Sequence, residues 1–81
     1  MKTGLAGLRN AFVDALGIDP NANFDKLEYA KTPGWDSVAH MKLISEIENN
    51  FDIMLDTEDV IGMSSFPMAK QIVEKHGVTL E

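Results

Sequence analysis

Ser37 is the side chain best placed to do chemistry, within the run Pro33-Gly34-Trp35-Asp36-Ser37-Val38. A turn made by Pro33 and Gly34 gives way there to a long apolar-periodic segment that reads as a helix. The head of a helix has unpaired N–H groups and a partial positive charge, so it can hold a phosphate attached to that serine. The position suits a phosphorylated or phosphodiester-linked side chain. The commoner use of Asp-Ser before a helix is simpler, with Asp36 or Ser37 acting as an N-cap. His40 follows one helical turn later, at a spacing from which an imidazole can contact a phosphate. A Ser-His pair also suggests a nucleophile and its base. No carboxylate is evidently placed to orient that histidine, no oxyanion hole is legible, and helix neighbours seldom align for proton transfer. Catalysis is not expected.

The elements that must position Ser37 read as helices. Leu5, Leu8, Phe12, Ala15 and Leu16 recur at helical spacing, with Thr3 as a cap and Gly17 as the stop. Residues 18–36 hold two prolines, Asn21, Asn23 and little periodicity, which predicts an ordered loop with room for one helical turn, pinned to the core by Phe24, Leu27 and Tyr29. A second helix starts at Ser37, with Val38, Met41, Ile44, Ile47 and Phe51 as its apolar stripe and His40, Lys42, Ser45, Glu46, Asn49 and Asn50 largely off it. A third, of one or two turns, has Asp56 or Thr57 as cap, Val60 and Ile61 inward and Gly62 as stop. The last begins near Ser65, tolerates Pro67 in its first turn, buries Phe66, Ala69, Ile72 and Val73, and ends at His76-Gly77. His76 there is expected to interact with the helix dipole and nothing more. Met41, Met54 and Met63 read as core filler at or near inward positions. The expected fold is all-α: a small four-helix bundle of three principal helices and one short one, with a long loop between helices one and two.

Composition limits the function classes. Residues 1–81 read as one small soluble domain, 44% hydrophobic, with no run long enough to span a membrane and no signal peptide, hence a cytoplasmic monomer. Leu80 and Glu81 read either as a tag remnant or as native. No cysteine is present, which removes disulfides and thiolate chemistry unless an added group supplies a thiol. The net charge of −6 is concentrated: between Asp36 and Asp59, the acids Asp36, Glu46, Glu48, Asp52, Asp56, Glu58 and Asp59 face Lys42 alone, while the remaining residues balance. Such a surface argues against nucleic acid and for partners with basic patches, although a solvated face that only keeps the protein soluble reads equally well. The acids Asp52, Asp56, Glu58 and Asp59 lack the spacing of a calcium loop, so an EF-hand is excluded and no metal-site residue is expected, with loose divalent-cation binding at that end left open.

The run Gly34-Trp35-Asp36-Ser37-Val38, followed by Met41, Leu43-Ile44, Ile47-Glu48, Phe51 and Ile53, resembles the attachment-site signature of acyl carrier proteins. The long first loop, acidic second helix, short third helix and Ser65-Phe66 start also fall where that family has them. The resemblance implies that a phosphopantetheinyl transferase joins 4′-phosphopantetheine from coenzyme A to Ser37, and that acyl groups then ride as thioesters through lipid or polyketide-like synthesis. It implies a non-catalytic carrier whose partners load, condense or transfer acyl groups. Asp36 would contribute to recognition by the transferase. Val38, Met41 and Ile61 would lie near the arm or its cargo, His40 would contact the phosphate or arm, and Trp35 would pack under the loop or touch the arm. Asp36, Lys42, Glu46, Glu48, Asp56, Glu58 and Asp59 would form the surface that partners read.

Two departures stand out. Many fatty-acid carriers place acids in the first turns of helix two, where this chain has Ala39, His40 and Lys42, and Trp35 precedes the serine. Both favour a specialised carrier over the housekeeping fatty-acid pathway. An aminoacyl or peptidyl carrier remains the alternative within the fold, and a helical protein-interaction module without a prosthetic group the alternative outside it.

Overall fold

The computed structural model describes residues 4–80. Helix α1 spans Gly4–Leu16, a single 3-10 turn Phe24–Lys26, α2 Ser37–Phe51, α3 Thr57–Gly62 and α4 Phe66–Lys75. No strand occurs among the described residues; one isolated antiparallel bridge joins Glu28 to Ser65. None of the helices is long and apolar enough to cross a membrane. The radius of gyration, 11.2 Å, matches the roughly 12 Å of a compact chain of this length.

Local chemistry explains the boundaries. Gly17 stops α1 with a φ of 67°, its N–H returning to the Val13 carbonyl at 2.9 Å. Asp36, Asp56 and Ser65 cap α2, α3 and α4, each accepting a first-turn N–H with its side chain. Asp56 and Asp59 bond reciprocally as a capping box. Asp52 ends α2 in the left-handed conformation that Asp tolerates better than most residues. The expected Thr3 cap lies outside the described residues. Gly62 closes α3 without a positive φ, so the stop there is not a glycine conformation.

The core is one cluster. Phe12, at its centre, meets Phe24, Trp35 and Phe66 edge-on, with ring centroids 6.4, 5.4 and 5.0 Å away. Leu8, Ala11, Leu16, Leu43, Ile44, Ile47, Met63, Ala69, Ile72 and Val73 complete it, and Val78 and Leu80 pack half-buried against its edge. Leu80 therefore belongs to the packed structure. Arg9 lies over the Phe24 ring at 5.4 Å and Lys70 over Phe66 at 5.5 Å, shielding the aromatics from water with aliphatic stems and placing charge on the ring faces.

The apolar stripe of α2 differs from the expected one. Residues advance about 100° around a helix, so steps of three fall about 60° short of a full turn, and Val38 and Ile47 end up about 180° apart. The inward face is His40, Leu43, Ile44 and Ile47, at the i, i+3, i+4, i+7 spacing a helix requires. Val38 is 79% exposed and Met41 57%. Ile61, expected inward in α3, is 76% exposed, and Val60 alone of that pair packs on the core. Met54 is also outside, so of the three methionines expected as filler only Met63 is buried. Phe24 and Leu27 do pin the long loop, whereas Tyr29 stays at the surface.

Candidate functional site

The loop before Ser37 is held from both ends. Tyr29 donates its N–H to the Ser64 carbonyl at 2.9 Å, tying residues 28–35 to the junction of α3 and α4. Within the loop, Ala30 N–H reaches the Trp35 carbonyl and Trp35 N–H the Thr32 carbonyl, at 2.9 and 3.0 Å, while the Thr32 hydroxyl accepts from Glu28 N–H at 2.9 Å. Gly34 is required twice over. Its φ of 91° disfavours a side chain, and a Cβ there would sit 2.9 Å from the Leu16 carbonyl oxygen at the end of α1. The sharp turn drives Trp35 into the core, 1% exposed, and leaves Asp36 and Ser37 outside.

Ser37 is the first residue of α2 and is exposed. The Asp36 carboxylate accepts from Ala39 N–H at 2.9 Å, and the Asp36 carbonyl takes His40 N–H at 2.8 Å. Among the described residues, no protein acceptor takes the N–H groups of Ser37 and Val38. The head of the helix thus keeps two donors and its partial positive charge beside the serine hydroxyl.

One turn inward, Trp35 Nε1–H donates to His40 Nδ1 at 3.0 Å, the two rings lying 26° from parallel. An indole N–H can only donate, so Nδ1 is the acceptor and Nε2 carries the hydrogen. Nε2 then donates to the Val60 carbonyl in α3 at 2.7 Å. His40 therefore bolts α2 to α3. Both ring nitrogens are committed, so the expected polar contact of His40 with a phosphate is not available, nor is a proton acceptor for Ser37. The imidazole instead forms a wall of a groove of about 220 Å³ lined by Tyr29, His40, Val60, Ile61 and Met63. Ile61, which lines the groove, is exposed, and so are Val38 and Met41 in the first turns of α2.

The acids expected to be read by partners divide into three kinds. Glu58 is exposed, as is Lys42, while Asp36 and Asp56 are exposed but act as caps. Glu46 is half-buried, and half-buried Glu48 accepts Leu55 N–H at 2.9 Å, bracing the turn after α2. Asp59 is not a surface group. Its side chain is 2% exposed and is gripped by Lys75 and by His76 Nε2, the latter at 2.7 Å. Hydrogen bonds from Lys75 and then His76 outweigh burial and lower its carboxyl from 3.8 to about 2. The same contact with Asp59 raises the Lys75 ammonium above its usual value. His76, expected only to meet the helix dipole, fastens the end of α4 to the start of α3.

Tyr29, Val60 and Met63 were not expected at the site. A signal existed for one of them, Tyr29, whose polar tip suits a surface edge, and the inward place of His40 could have been read from its continuing the stripe of Leu43, Ile44 and Ile47. No local pattern marks Met63 as a groove floor. Comparison of the chain with family models, curated proteins and solved structures gave no match.

Proposed function

We propose that this chain is an acyl carrier, holding acyl intermediates as thioesters on a 4′-phosphopantetheine arm joined to Ser37 and presenting them to enzymes of a lipid or polyketide-like pathway. The observation that carries the reading is the setting of Ser37: an exposed hydroxyl at the first position of α2, beside two unclaimed helix-head N–H groups. A phosphodiester on Ser37 Oγ suits those donors and the positive end of the helix. The chain has no cysteine, and the arm when bound supplies the thiol that carries the acyl group. The residues themselves position and shelter. Asp36 fixes the helix head, Tyr29 and Ile61 offer apolar surface one turn away, and His40 holds the two helices that form the groove.

A phosphopantetheinyl transferase is the first partner. Enzymes that load, condense or transfer acyl groups are the others, drawn by basic patches to the acid-rich segment, through interfaces modest enough to release. The aminoacyl or peptidyl cargo is the second reading, favoured by the head of α2, where Val38, Met41 and Lys42 are exposed rather than acids. Incubation with coenzyme A and a broad-specificity transferase, followed by intact mass, tests the reading. It predicts the gain of one phosphopantetheine, lost in Ser37→Ala. No gain, or a gain that survives the substitution, leaves a helical interaction module.

A further inference from the structure

A single imidazole stands between the groove beside Ser37 and the aromatic core. His40 lies on the inward face of α2, its Nδ1 bonded to the buried indole of Trp35 and its Nε2 to the Val60 carbonyl of α3. Met63, fully buried, lines the groove beside it. Behind them Phe12, Phe24 and Phe66 pack at centroid distances of 5.0 to 6.4 Å. No buried side-chain nitrogen or oxygen among the described residues lacks a partner. An alkyl chain that passes from the groove to the core between α2 and α3 has to prise the two helices apart. That breaks the His40–Val60 bond and strands a ring N–H and a carbonyl against methylenes, which cannot replace the lost hydrogen bond. The groove itself, about 220 Å³, is below the ~300 Å³ at which pockets for drug-sized ligands begin.

We propose that His40 is a specificity-determining residue that bars long acyl chains from the bundle, so that the cargo of Ser37 is a short acyl group lying in the groove of Tyr29, His40, Val60, Ile61 and Met63. This rests on the carrier reading of Ser37 and narrows its cargo. A group of a few carbons meets Tyr29 and Ile61 while the bolt stays closed. A longer chain has to run outward over exposed Val38 and Met41, where water faces it.

The test loads Ser37 from butyryl-, octanoyl- and dodecanoyl-coenzyme A with a broad-specificity phosphopantetheinyl transferase, each product verified by intact mass. Thermal midpoints and the indole N–H resonance of Trp35, the sole tryptophan, are compared with the form bearing the bare thiol arm. In the unmodified sequence the midpoint does not climb with chain length and the indole resonance stays in place. In His40→Ala the dodecanoyl form melts several degrees above the butyryl form and its indole resonance moves, whereas His40→Gln, which keeps a side-chain donor, restores the original behaviour. A midpoint that climbs from butyryl to dodecanoyl in the unmodified sequence, with a moving indole resonance, overturns the proposal even where His40→Ala does not fold. So does a folded His40→Ala that behaves like the parent. A chain that gains no mass at Ser37 removes the carrier reading itself, an outcome distinct from either.

Discussion

Replacing Asp59 by asparagine tests whether α3, and with it one wall of the groove, is held by a buried charge. The carboxylate is 2% exposed and receives Lys75 and His76 from α4. Its lowering from 3.8 to about 2 corresponds to about 2 kcal/mol if all of it were folding energy. Lys75 is 59% exposed and water screens its share, so about 1 to 2 kcal/mol is the expected loss in Asp59→Asn at pH 7. That is a drop of roughly 4 to 8 °C in midpoint for each kcal/mol in a domain of this size. The sign follows from linkage. A carboxyl whose folded value is depressed stabilises the fold above its unfolded value, and that stability drains away as pH falls toward the folded value. With 3.8 unfolded and about 2 folded, about half of the contribution remains at pH 3. Denaturant unfolding of the parent and Asp59→Asn at pH 7 and pH 3 should show the gap between them closing by about half. A gap of equal size at both pH values, or none at pH 7, refutes the charge-based account of this clasp.

Three further outcomes follow from the geometry. Gly34→Ala should cost more than about 1 kcal/mol, because both its backbone conformation and the Leu16 carbonyl 2.9 Å away oppose a methyl group; denaturant titration measures it, and a neutral result contradicts the turn as described. Phe12→Ala should cost about 3 to 5 kcal/mol, since three aromatic rings lose their common partner, and many such molecules will be unfolded at 37 °C by circular dichroism. Lys42→Glu should leave stability within about 0.5 kcal/mol, the side chain being exposed. It should also raise kcat/KM for the phosphopantetheinyl transferase severalfold at low salt, a gain that 0.5 M salt erases; equal rates at low salt show that position 42 is not read.

Helix boundaries were legible because caps and glycine stops are local: Asp36, Asp56, Ser65 and Gly17 act within a few residues of themselves. Ser37 at the head of α2 was legible for the same reason. The inward face of α2 was obscured by spacing apolar residues three apart, which wraps around the helix, and by treating a histidine as polar. His40 is inside because Trp35 and Val60 satisfy both its nitrogens, partners 5 and 20 residues away. Asp59 looked like one more surface acid because Lys75 and His76, which bury it, lie 16 and 17 residues further on. Exposed Val38, Met41, Met54 and Ile61 show the converse: an apolar side chain is no guarantee of an inward position.

The central claim concerns the hydroxyl of Ser37, and localising the modification tests it most directly. After incubation with coenzyme A and a phosphopantetheinyl transferase, fragmentation of the modified chain should place a single phosphopantetheine on Ser37. Label on Ser45, Ser64 or Ser65 instead, or no label under conditions that fully modify a control carrier, would contradict the account.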